Sequence, residues 1–348
     1  MKLDARDNPI PQPRILKDIM PAARRIDVHL HTIPVFYQEA VVAAGLGPTR
    51  RGGYPPCSPQ AALEMMDANG IDYAIASVAV PGVQFCEPAA AKTLARRLNE
   101  HAAEQKARWP GHFGGFATIP MRNTKDAVAE IDYALDVLHL EGVCLFTNYD
   151  GVYLGDPSFD PVLQALDAHG AVVYTHPTIH PSSRGIPLNY PGFMLEYPID
   201  TTRMAVNLIF TDALERFSSL KFILSHGGGT LPYLPWRIAS SPRIDAGLPQ
   251  WPRARFADNL RRFWYDNAIV GEPSSLTALK SVAGVDKVLF GSDWPFVPAG
   301  VVAEQVAIHA ASSTHTDDER AAIDGGNAVK LWPHLETARN GAAPDRNP

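Results

Sequence analysis

Eight short apolar runs, nearly all separated by helical stretches, constrain this chain more than any other feature. The runs are Arg25 to His31, Tyr73 to Val80, Phe113 to Ile119, Gly142 to Thr147, Ala171 to Thr175, Lys221 to Ser225, Phe263 to Asn267 and Lys287 to Phe290. In the first of them Ile26, Val28 and Leu30 alternate with Asp27, His29 and His31, which is the period of a strand. Helix signals fall between the runs. Ser58 caps and Pro59 opens one helix, which Asn69-Gly70 stops; Asn123-Thr124 and Asp160-Pro161 open two more; a last helix runs from Asp317 to Leu331. Strands alternating with helices predict a parallel sheet, and eight such units predict an α/β fold of the (β/α)8 TIM-barrel type. An open doubly wound sheet is the alternative, but no Gly-x-Gly-x-x-Gly follows the first strand.

A length of 348 residues suits one barrel. The expected organisation is an N-terminal arm over 1–24, the barrel over 25–335 and a C-terminal tail over 336–348. The Gly- and Pro-rich stretch from Pro34 to Pro59 reads as an irregular loop insertion after the first strand. A formal net charge of −6 without a long basic run disfavours nucleic acid and anionic membranes as partners. No apolar stretch reaches transmembrane length, and Met1 to Met20 lacks the apolar core of a signal peptide. Cys57, Cys86 and Cys144 lie far apart with no Cys-x-x-Cys pair, which fits free thiols and a cytoplasmic location.

In a barrel all C-terminal strand ends open onto one face, where active sites sit. The residues at those ends are therefore the informative ones: His29 and His31 on the first strand, His176 on the fifth, His226 on the sixth and Asp293 on the eighth. Singly, His176 reads as a turn residue before a proline and Asp293 as a helix cap. Jointly, four imidazoles and a carboxylate at four strand ends read as a metal site. His29, His31, His176 and Asp293 are assigned as ligands of a divalent ion, Zn2+ first, in a donor set that also suits Mn2+ or Fe2+. His226 is then left for acid–base work, and Gly227 to Gly229 behind it would let backbone approach a ligand closely.

The segments Asp27-Val28-His29-Leu30-His31, His176-Pro177, Ser225-His226-Gly227-Gly228-Gly229 and Gly291-Ser292-Asp293-Trp294-Pro295-Phe296 resemble the amidohydrolase superfamily. More narrowly they resemble its branch of aminocarboxymuconate-semialdehyde decarboxylase and the salicylate- and resorcylate-type decarboxylases. The resemblance implies a mononuclear site, consistent with the absence of a lysine from Gly142 to Thr147. It implies non-oxidative loss of CO2 from a small aromatic or unsaturated carboxylic acid, a 2-hydroxybenzoate for preference, with no organic cofactor. Hydrolysis or hydration at the same site is the alternative. The resemblance further implies His226 and Asp293 as catalytic residues. Arg51, in competition with Arg50, is implied to bind the substrate carboxylate, and Phe296 to line the pocket. Arg237 is implied to reach into a neighbouring subunit, so a homodimer or higher homo-oligomer is expected. Tyr190, Phe193 and Tyr197, together with Arg184, make the segment after His176 a candidate wall for a planar ring.

Overall fold

The structure is a computed structural model, and it describes residues 24–47 and 53–336. Its centre is a parallel sheet of eight strands: β1 (Arg25–His31), β2 (Ile71–Ser77), β3 (Phe113–Thr118), β4 (Gly142–Phe146), β7 (Val172–His176), β8 (Lys221–Leu224), β9 (Trp264–Asp266) and β10 (Val288–Leu289). A small antiparallel hairpin, β5 (Asn148–Tyr149) and β6 (Val152–Tyr153), follows β4. The large sheet runs in the order β1-β2-β3-β4-β7-β8-β9-β10. It closes on itself where Val28 N–H donates to Phe290 O (3.0 Å), His31 N–H to Trp294 O (2.7 Å) and Asp293 N–H to His29 O (2.6 Å). The expected barrel is therefore present, and its closing seam carries three of the assigned site residues.

Local chemistry explains the elements. Ser58 Oγ accepts from Ala61 N–H at 3.1 Å and Pro59 occupies the first turn of helix Pro59–Asn69. Gly70, at φ 63°, ends that helix in the left-handed region and passes the chain straight into β2. This is why β2 begins at Ile71 rather than Tyr73. It ends at Ser77, whose carbonyl accepts from Thr32 N–H at 2.9 Å just past the β1–β2 ladder.

Two further expectations are corrected. The stretch after β1 is not wholly irregular, because Val35–Ala43 is a helix that buries Tyr37 and Val41 against Val78, Val83 and Leu98. The β5–β6 hairpin was not anticipated. Its turn is Asp150-Gly151, both at positive φ (52° and 89°), the dipeptide chemistry that two-residue hairpins require.

Inside the barrel, Ile75, Phe116, Cys144, Tyr174, Ile223 and Leu289 form a buried layer below the site. Phe116 and Tyr174 stack at 5.1 Å, and Trp332 packs on the same layer while its indole N–H donates to Glu141 O at 2.6 Å. This packed floor fixes the strand ends that carry the polar residues.

Candidate metal centre

Both faces of β1 are buried: Ile26 through His31 are all withdrawn from solvent. His29 and His31 must therefore find polar partners inside the protein. Their Nε2 atoms face each other at 3.2 Å. Asp293 Oδ1 lies 3.3 Å from His29 Nε2 and 3.1 Å from His31 Nε2. His176, at the end of β7, joins them, with its ring 4.9 Å from that of His31. One ligand atom from each of His29, His31, His176 and Asp293 lies within 4.8 Å of all the others, and all four residues are buried.

The outer nitrogens decide whether this group suits a cation. His29 Nδ1 is 2.9 Å from Asp266 Oδ2, His31 Nδ1 is 3.1 Å from Ser77 Oγ, and His176 Nδ1 is 2.8 Å from Pro177 O. Each imidazole thus has its Nδ1 matched to an outer oxygen, which leaves three Nε2 lone pairs and one carboxylate converging. That is a donor set for a divalent ion, with outer partners of the kind that orient ligating histidines.

Electrostatics agree. Burial, reinforced by the neighbouring imidazoles of His31 and His29, pushes His176 well below its ordinary range, so it is neutral and able to ligate. Burial likewise lowers His31. Burial would lower His29 too, but the carboxylates of Asp266 and Asp293 outweigh it and raise it to about 10. Burial alone would raise Asp293, yet the positive charge of His29 and hydrogen bonds from His226, His29 and His31 hold it well below the usual carboxylate range.

His226 follows β8. Its Nε2 is 3.5 Å from Asp293 Oδ2, the oxygen that faces away from His29 and His31. Both His226 (φ 53°) and Asp293 (φ 57°) hold left-handed backbone that non-glycine residues seldom adopt. Asp27 helps to secure the Asp293 loop: its Oδ1 accepts from His29 N–H (2.9 Å) and Ser292 N–H (3.1 Å). The glycines after His226 serve a different purpose from the one expected. A Cβ on Gly229 (φ 66°) would lie 2.0 Å from Pro198 O, so glycine is needed for the His226 turn to dock on helix Glu196–Phe210 rather than for a ligand to approach.

The remaining assigned residues divide. Phe296 places its ring 5.3 Å from the His31 ring. Arg237 is exposed on helix Pro235–Ser240 and does not meet the four converging groups within this chain. Arg50 and Arg51 lie outside the described residues. In the segment after His176 only Tyr197 reaches the site, its ring 5.9 Å from His176; Arg184, Tyr190 and Phe193 are exposed. Residues that sequence reasoning missed are Asp266, Ser77 and Asp27. Asp266 carried a usable signal, since it ends β9 at the same barrel face as the histidines. A second grouping, Asp132, Asp136 and His169, is exposed, and both nitrogens of its imidazole already face the two carboxylates at 3.0 and 3.5 Å, so its polar atoms are matched to one another.

The comparisons agree with this barrel. The sequence profile of the amidohydrolase family matches residues 26–334, and the chain belongs to that family. Among characterised relatives, decarboxylase yanB of Aspergillus niger is 36% identical over 328 residues, covering 90% of this chain and 88% of the relative. The 6-methylsalicylic acid decarboxylase acuB of Aspergillus aculeatus is 36% identical over 341 residues, covering 92% of this chain and 99% of the relative. Among solved structures, an amidohydrolase II crystal structure superposes with a TM-score of 0.81 at 29% identity, covering 88% of this chain and 99% of the other.

Proposed function

We propose that this chain is a divalent-metal-dependent, non-oxidative decarboxylase of a small aromatic carboxylic acid, with a 2-hydroxybenzoate as its substrate. The observation that carries this is the placement of His226 beside the outward oxygen of Asp293, at the edge of three converging imidazoles. The likeness to acuB supports the substrate class. His29, His31, His176 and Asp293 would hold the ion, Zn2+ before Mn2+, since imidazole and carboxylate suit both. When bound, the ion would orient the substrate carboxylate and adjacent hydroxyl and draw electron density from them.

The chain's own groups then do the rest. The rings of Phe296, Tyr197 and Phe146 stand 5.3, 5.9 and 6.4 Å from the nearest imidazole and offer apolar walls to a planar ring. The ring carbon bearing the carboxylate must take up a proton before the carbon–carbon bond breaks and the ring regains aromaticity. His226 and Asp293 supply it as a pair, His226 Nε2 standing 3.5 Å from an Asp293 carboxylate that is held ionised. Water then restores the proton to the pair. Arg51 is assigned to the substrate carboxylate. Arg237 is assigned to a neighbouring subunit's site in a homodimer, a role supported by the exposed Tyr233 and Trp236 beside it. A cytoplasmic location fits the sparse free thiols, and no helix among the described residues is long and apolar enough to cross a membrane.

The test is a panel of hydroxybenzoates given to metal-free protein with and without added Zn2+ or Mn2+, with CO2 followed in the headspace. Metal-dependent CO2 release from a 2-hydroxybenzoate is expected. Consumption of esters or lactones with no CO2 from any acid would favour hydrolysis instead.

A further inference from the structure

Asp266 is fully buried at the end of β9 and its two oxygens face two different parts of the site. Oδ2 lies 2.9 Å from His29 Nδ1, with Tyr174 OH donating to the same oxygen at 3.4 Å. Oδ1 accepts from His226 N–H at 2.9 Å and from Ala268 N–H at 3.0 Å. One carboxylate therefore touches the imidazole on β1 and the left-handed backbone turn that presents the His226 side chain.

We propose that Asp266 is a positioning residue that uses one oxygen to hold His29 in its metal-binding orientation and the other to hold the His226 turn. A carboxylate is required because every group around it donates. An imidazole that gives Nδ1–H to Oδ2 keeps its Nε2 lone pair for the other three ligand atoms. The backbone of His226 at φ 53° needs an acceptor at its amide, and Oδ1 provides it.

Asparagine has nearly the same shape but only one acceptor. If its oxygen stays with the two backbone amides, its NH2 faces His29 Nδ1, which must then accept, and the imidazole proton moves to Nε2 where the ion should bind. Asp266→Asn therefore separates the two arms, whereas Asp266→Ala removes both. A packing role alone would make Asn mild and Ala severe.

The inference rests on the metal-centre reading, and a metal titration against a competing chelator needs no substrate. Asp266→Asn and Asp266→Ala are both expected to weaken Zn2+ binding by about 10- to 100-fold. Exchange of the His226 amide is expected to stay slow in Asp266→Asn and become fast in Asp266→Ala. Zinc affinity of the Asn variant within threefold of wild type, or His226 exchange unchanged in Asp266→Ala, overturns the inference alone. A wild-type protein that binds no divalent ion overturns it together with the metal reading. Should neither variant fold, the nitrogen NMR spectrum of zinc-loaded wild-type protein decides. A slowly exchanging Nδ1–H on His29 is expected, and a zinc-ligated Nδ1 contradicts the proposal.

Discussion

His226 Nε2 stands 3.5 Å from Asp293 Oδ2, while Oδ1 of the same carboxylate faces His29 and His31 at 3.3 and 3.1 Å. One side chain thus borders both the His29 and His31 imidazoles and that of His226. His226→Asn should lower kcat by about 10²- to 10⁴-fold, the usual worth of a general acid, and leave metal content near one equivalent. Asp293→Asn should lower both turnover and metal content. Rate assays paired with elemental analysis check this, and near-normal activity in both variants would sink the assignment.

Ion binding should stabilise the fold, because the group is assembled only when β1, β7 and the loop after β10 are in place. At free metal a thousand times the dissociation constant the gain is about 4 kcal/mol. His176→Ala should abolish most of that gain in denaturant unfolding while changing the metal-free protein less. An equal metal-dependent gain in the variant would remove His176 from the ligand set.

The burial of His176 sets a pH dependence with a definite sign. Its folded-state affinity for protons lies well below the ordinary value of 6.5, so below that pH the unfolded chain takes up a proton that the folded one refuses. Metal-free protein should therefore lose stability as pH falls below about 6.5, by up to about 1.4 kcal/mol per pH unit from this group. His29 has the opposite sign: its contribution is complete below 6.5 and is lost as pH rises toward about 10. Stability compared between wild type and His176→Gln isolates the first effect. A difference that does not grow on acidification would contradict it.

Phe296 is proposed to line the pocket, its ring meeting that of His31 edge to face at 5.3 Å. Phe296→Ala should raise KM by about tenfold or more, the scale of losing an apolar contact of 1–3 kcal/mol, with a smaller change in kcat. Arg237→Ala should lower turnover without altering metal content, and light scattering should find at least a dimer. A monomeric active protein would exclude the role given to Arg237.

Much of the barrel was legible because its signals are local. Period-two alternation from Ile26 to His31 marks β1, and chemically capable residues cluster at strand ends because barrel topology collects those ends on one face. What stayed hidden depended on distant contacts. Val35–Ala43 shows no clean polar face, since Val35 and Val42 are exposed, and only the packing of Tyr37 and Val41 makes it a helix. Asp266 lies 237 residues from the histidine it supports, so nothing near it in the chain reveals its partner. Gly227 to Gly229 looked like a ligand cradle because the approach of Pro198 to Gly229 exists only in the folded protein.

The central claim is protonation of a ring carbon followed by loss of CO2, and isotope labelling of the product tests it most directly. Metal-loaded protein should be given 6-methylsalicylate in D2O enriched in 18O, with the product examined by mass spectrometry and NMR. The expected product is 3-methylphenol with one deuterium at the carbon that had carried the carboxylate and no 18O on the ring, with one CO2 per turnover. A product that retains its carboxylate carbon and incorporates solvent oxygen would contradict it.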